Sequence, residues 1–388
     1  MTTKETRGIF VRCYYIFFVN GILTLLIGSL LPFIRDTYGL DYQIGGFLVS
    51  AHAIGNLVSS FLGGILPIKF GRKNTLIFLG TFGVIAFVLM TRTSNPALLI
   101  LAFFFTGVNR GAVSNFNNSV VNEVATGKAW ALNLLHAVFS IGAFLAPFLV
   151  LIFTKNNPHN WMYMALTEAA LILTSLLIVF FMNVPNNYPA AKDGSKTDWS
   201  FLKNKYFIVA TGIIFFYLCA EQSINGWLVT YLQDSGILSS QFSQVMTSVL
   251  WLVILIGRLL TAFVSTKIKK QYLLLGTSIG YVIFALILLF VHHSVITSIG
   301  VVGVGLFMAG IYATTIASIG DVVKEYPTCL GMLLTIGSFG AIIMPSIVGT
   351  VAKHTGIKGG MAVIIIAIAI NMLFMVANVI IRKDEKQL

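Results

Sequence analysis

Two ionisable side chains stand deep inside stretches that are otherwise apolar, and each needs a chemical reason to be there. Glu221 lies in an apolar run over 205–232 and Arg110 in one over 97–121. A charge at the centre of a membrane helix costs a few kcal/mol or more, so it is retained for a purpose. At 1.5 Å per residue Glu221 falls about 24 Å from the start of its run and Arg110 about 20 Å from the start of its own, both towards mid-membrane. A carboxyl in such a wall, tuned by its surroundings and by a nearby cation, can load a proton on one side and release it on the other. It can equally bond a neutral solute or serve a structural ion pair. Arg110 cannot discharge itself and so demands an anionic partner: Glu221, Glu168 in the run over 161–183, or an anionic group on a solute.

Six amides, Asn20, Asn115, Asn117, Asn118, Gln222 and Asn225, share that depth. An amide donates and accepts, as binding a hydroxyl-rich solute requires, and Trp227, Trp251 and Tyr312 supply aromatic faces for the apolar sides of a sugar ring. The same amides can instead bond helix to helix. His136 and His52 are candidate proton relays, with a neutral packing role as the alternative. Gly276, Ser278 and Gly280 match the G-x-S-x-G pattern of hydrolases, but that motif needs a strand, a sharp turn and a helix. Here it sits inside an apolar run, where G-x-x-x-G is a helix-packing surface. Cys13, Cys219 and Cys329 are singly spaced and read as core residues. No metal spacing or phosphate-cradling loop occurs, so neither an enzyme nor an ATP-driven pump is expected, and no cofactor beyond a coupling proton.

The elements that position these residues follow from composition. Hydrophobic residues make up 57% of the 388 and charged ones 10%, against roughly 25% charged in ordinary soluble domains. Apolar runs fall at 10–34, 41–66, 74–92, 97–121, 129–153, 161–183, 205–232, 241–264, 271–291, 295–320, 328–352 and 360–381. Each is near the roughly 20 residues that span hydrocarbon. The fold class is therefore an all-α membrane protein of twelve transmembrane helices, the first retained rather than cleaved as a signal peptide. Eighteen of the 25 Lys and Arg residues fall on the side of the amino terminus and five on the other, with Arg110 and Arg258 inside spans. That bias predicts both termini in the cytoplasm and accounts for the +12 charge without a nucleic acid partner.

The polar stretch over 185–204 reads as a cytoplasmic linker between six-helix bundles at 1–184 and 205–388. Ser140, Gly142, Ala143 and Pro147 recur as Ser338, Gly340, Ala341 and Pro345, 198 positions on, and Leu79-Gly80-Thr81 recurs as Leu275-Gly276-Thr277 at an offset of 196. Two like-oriented, pseudo-symmetric halves are a transporter plan in which a mid-membrane site is exposed alternately to either side.

Over essentially its whole length the chain resembles the major facilitator superfamily. Gly64, Lys69, Gly71, Arg72 and Lys73 match that superfamily's signature between helices 2 and 3, with Ile68 where an aspartate is usual. Gly257 and Arg258, followed by Lys267, Lys269 and Lys270, are similar to its degenerate second copy. The resemblance implies a cytoplasmic gate at Gly71, Arg72, Lys73 and Arg258. Leu132 to Phe139 with Gly142-Ala143, the helix 7 pattern of Glu221, Ser223, Gly226-Trp227-Leu228 and Thr230-Tyr231-Leu232, and Gly107, Gly111 and Asn118 on helix 4 are similar to the fucose permease-like branch. That branch's helix 4 carboxylate would fall at Ser114, and its helix 1 acid has no counterpart, Asn20 being the nearest polar residue.

The resemblance implies a monomeric secondary transporter in a bacterial cytoplasmic membrane, moving a small polar solute, first of all a sugar, by alternating access. Proton coupling would fall to Glu221 and His136, and solute binding to Asn20, Arg110, Asn115, Asn118, Gln222, Asn225, Trp227, Trp251 and Tyr312. The alternatives are a sugar uniporter, an exporter or flippase of amphipathic compounds suited to a wall with 31 Phe, and a scaffold without transport.

Overall fold

Apolar runs of spanning length satisfy their own backbone in lipid by coiling into helices. The computed structural model describes residues 3–125, 129–184, 199–326 and 328–384. The chain divides into two compact units, Met1–Ala191 and Lys192–Leu388. Unit 1 contains α1 (Thr3–Tyr38), α2 (Tyr42–Phe70), α3 (Arg72–Met90), α4 (Pro96–Val124), α5 (Ala129–Thr154) and α6 (Trp161–Phe180). Unit 2 contains α7 (Lys205–Asp234), α8 (Ser240–Val264), α9 (Lys270–Phe290), α10 (Ser294–Met308), α11 (Ile311–Ser318), α12 (Gly320–Glu325), α13 (Thr328–Ala362) and α14 (Ile364–Asp384).

Eleven helical segments are long and apolar enough to cross a membrane, and the last of them covers 55 residues, Thr328–Arg382. At 1.5 Å per residue it would extend about 80 Å, far more than one bilayer core. Gly356, at φ 75 and ψ 169, breaks it inside α13, in a conformation that residues with a Cβ rarely adopt. The segment therefore crosses twice, and the described residues make twelve crossings. The tenth run is the exception to a continuous span, because the chain breaks between α10 and α11 at Ala309-Gly310.

Exposure is inverted relative to a water-soluble protein, as lipid contact requires: Phe61 is 70% exposed, Phe181 75% and Leu259 66%. Within each unit the helices approach closely at small residues. In unit 1, a Cβ on Gly142 of α5 would collide with the Phe18 carbonyl of α1; in unit 2, one on Gly340 of α13 would collide with the Phe215 carbonyl of α7. The repeated S-x-G-A-x-x-x-P sequence thus makes the same kind of contact twice, each time with the first helix of its own unit.

Of the predicted linker, residues 185–198 lie outside the described residues. Within its last residues, Ser200–Lys203 forms a 3-10 turn and Phe201 is buried edge-on to Phe207 at 5.0 Å. This aromatic contact ties the segment to unit 2.

Candidate functional site

The carboxylate of Glu221 is positioned by a helix secured along its length. The Trp227 indole N–H donates to the Pro345 carbonyl of α13 at 3.2 Å, and the Asn371 amide of α14 donates to the Ile213 carbonyl at 2.7 Å. On the same helix as these anchors, Glu221 is buried, and its Oε1 accepts a 2.8 Å hydrogen bond from the Tyr217 hydroxyl one turn earlier. The Tyr312 ring lies 6.3 Å from that of Tyr217, brought there by the helix that restarts after the break at Gly310. Tyr281 from α9 and Tyr312 both lie within electrostatic range of Glu221, and Arg258 from α8 within range of Tyr217. One acid, three phenols and a guanidinium from four helices thus form a single electrostatic group.

Polar capacity around this group exceeds what its own partners use. The Tyr281 hydroxyl, the Trp251 indole N–H and Asn225 Oδ1 are buried with no hydrogen-bond partner among the described residues. An unmet buried donor or acceptor costs about 1–3 kcal/mol, so such groups collect where water or a solute completes them. Helical spacing puts Trp251 and Arg258 on one face of α8, with Gln244 and Thr247. Gln222 is half-buried beside Glu221 in sequence. The arrangement can accept hydrogen bonds at Glu221, pass them through hydroxyls, and offer both donors and acceptors to a polyol.

Unit 1 carries a second polar set. Asn20 on α1 donates to the Ser114 hydroxyl on α4 at 3.2 Å, so the position where the resembled branch's helix 4 carboxylate would fall is here an alcohol joined to an amide of α1. Asn20 and Asn109 line a cavity of about 10 Å³, enough for one water and far too small for a sugar. His52 Nδ1 is 2.8 Å from the Thr106 hydroxyl, and Arg110 lies within electrostatic range of His52. His136 is exposed, its ring edge-on to Phe17 at 5.4 Å.

The remaining residues singled out in the sequence have these surroundings. Trp227 is fully buried and spends its N–H on α13, which packs it in the core of unit 2. The Asn115 amide donates to the Ser59 and Ser60 carbonyls of α2 at 3.4 and 3.0 Å and packs against Gly63; it fastens α4 to α2. Asn118 turns its amide back to the Ser114 carbonyl at 2.8 Å, and Asn117 likewise to Val113 at 2.8 Å. Glu168 is fully buried with both carboxyl oxygens lacking a hydrogen-bond partner among the described residues. It does not bond Arg110, because it lies on the apolar face of α6 that includes Ala165, Ala169 and Ile172. The G-x-S-x-G sequence is continuous helix within α9, without the sharp turn that would present a nucleophile.

At the face where α1 begins, Gly71 takes φ 78 and turns the chain from α2 into α3. Arg72 then pairs with Glu123 near the end of α4, and the Lys73 ammonium lies 5.4 Å from the Phe180 ring centre. The aspartate missing at Ile68 is thus not the sole source of a counter-charge, since α4 supplies one. Glu123 was missed by sequence reasoning, although an acid at a membrane helix end near a basic loop could have suggested it. Tyr217 was legible as i−4 from Glu221 on a helix; Tyr281, on a different run, carried no such sign.

Two helical membrane units of repeated plan, with an acid and unmet polar groups at membrane depth, define a multi-pass transporter of a small-molecule substrate in a lipid bilayer. The family model of the Major Facilitator Superfamily matches residues 13–304 and 213–387, and the chain belongs to that family. It is 24% identical over 386 residues to the glucose/mannose transporter GlcP of Bacillus subtilis (strain 168), covering 94% of this chain and 95% of that one. Among solved structures it is similar in fold to a bacterial homolog of the human lysosomal transporter Spinster, with TM-score 0.81 and 13% identity over 97% of each chain. The fucose:proton symporter of E. coli has the same fold, with TM-score 0.62 and 20% identity over 94% of this chain and 97% of that one.

Proposed function

We propose that the protein moves a monosaccharide across a bacterial cytoplasmic membrane by alternating access, together with a proton carried on Glu221. In this reading both termini are cytoplasmic, the protein acts as a monomer, and no cofactor other than the coupling proton takes part. The observation that carries it is the Glu221 group: a carboxyl at membrane depth, bonded by Tyr217, with Tyr281 and Tyr312 in electrostatic range of it and Arg258 in range of Tyr217. Trp251 gives a face for the apolar side of a sugar ring, while Gln222 and Asn225 bond its hydroxyls. The likeness to a glucose/mannose transporter along nearly the whole chain supports the substrate class and favours this reading over an exporter of amphipathic compounds.

Counterflow of labelled glucose and mannose in proteoliposomes tests the substrate class. Saturable exchange is expected, reduced tenfold or more by Trp251→Ala. Failure to exchange any neutral monosaccharide, in protein that remains folded, would refute the assignment.

A further inference from the structure

On the face where α7 begins and α14 ends, unit 2 has a crevice of about 450 Å³ between the α8–α9 turn, the α11–α12 junction and the end of α14. Four cations line it, Lys269, Lys270, Lys324 and Arg382, against one carboxylate, Asp321. Two of the cations are held in place by backbone. Lys270 donates to the Ala317 carbonyl at 2.7 Å; Arg382 donates to the Ser318 carbonyl at 2.7 Å and to Asn378 Oδ1 at 3.0 Å, with its guanidinium 5.0 Å from the Tyr206 ring centre. These bonds leave about two donors on Lys270 and three on Arg382 for another acceptor. Lys324 meets Asp321 at 3.3 Å, but with exposures of 81% and 101% that pair is weak and readily exchanged. The α9 helix opens at the crevice with no side-chain cap, so its first-turn N–H groups also lack a side-chain acceptor.

The rim distinguishes among anions. Ile268 lines the crevice and is 46% exposed; next to the lining residues in sequence, Tyr272 is 42% exposed and the ammonium of Lys267 sits 4.2 Å from the ring centre of the exposed Phe263. A soluble anion has no use for this apolar border, whereas a lipid would lay its acyl chains along it with its phosphate among the cations. We propose that the crevice binds the phosphate of an anionic phospholipid, with Lys270 and Arg382 as fixed donors and Lys269 and Lys324 as accessory charges.

Native mass spectrometry of the full-length protein, titrated with phosphatidylglycerol or phosphatidylcholine of matched chains, reads the preference directly. Phosphatidylglycerol is expected to bind about tenfold more tightly, and Lys269→Gln with Lys324→Gln to remove most of that preference. Both of those side chains are exposed, so this double variant keeps the test open if Lys270→Gln with Arg382→Gln fails to fold. Equal binding of the two lipids by the parent, or a parental preference in the Lys269/Lys324 variant, would overturn the proposal. Displacement of phosphatidylglycerol by millimolar glycerol 3-phosphate would also overturn it, by identifying a free phosphate compound as the ligand.

Discussion

Tyr217 and Glu221 illustrate why residue type alone is an incomplete guide to role. A carboxyl in an apolar run is visible from its type, and its i−4 phenol from helical spacing; the approach of Tyr281 and Tyr312 depends on packing that one sequence does not reveal. The tryptophans make the contrast sharper. Trp227 and Trp251 both stand at membrane depth, yet one donates to Pro345 and the other has no partner among the described residues. Both rings are buried, so either Trp→Ala change should cost about 3–5 kcal/mol of stability, as large-to-small core substitutions do; the division should show instead in solute affinity, which Trp251→Phe weakens and Trp227→Phe leaves nearly unchanged in protein that remains folded. Equal loss of affinity in the two variants would contradict the division. Glu168, buried without a hydrogen bond, yields an opposite expectation. Glu168→Met should raise stability by about 1–3 kcal/mol, because it removes an unmet polar group. A lowered melting temperature would count against that account.

Helices were legible at the level of their existence, because runs of spanning length in a chain this apolar have few alternatives. Their interruptions were less so. The break at Ala309-Gly310 carries no proline, and the close approach there, where a Cβ on Gly310 would meet the Thr261 side chain, has no sign in one sequence. Close approaches were partly legible, since the duplicated Gly142 and Gly340 marked corresponding helices before any contact was known. Substitution tests their role: Gly142→Ala and Gly340→Ala should each lower the melting temperature by several degrees, because the new methyl meets a neighbouring carbonyl. Gly276→Ala is the control, with nothing within 4 Å of its Cβ, and should be neutral or stabilising by up to about 1 kcal/mol. If all three behave alike, the close contacts do not govern stability.

At the scale of the molecule, each unit makes six crossings, so each begins and ends on one face of the membrane. The basic residues concentrate on that face, and reporter fusions at both termini should therefore read cytoplasmic; a reporter active outside at either end would contradict the topology. The repeated plan was visible in the nearly constant offset of two short motifs. What the sequence could not supply was the division of polar residues between adhesion and function, because an amide bonding a neighbouring helix and one awaiting a solute are the same residue type. Proton-driven accumulation addresses that division most directly. With an inward proton gradient imposed on proteoliposomes, the parent should concentrate labelled hexose above equilibrium, and Glu221→Gln should lose accumulation while retaining exchange. Accumulation by the variant equal to that of the parent would show that the proton does not travel on Glu221.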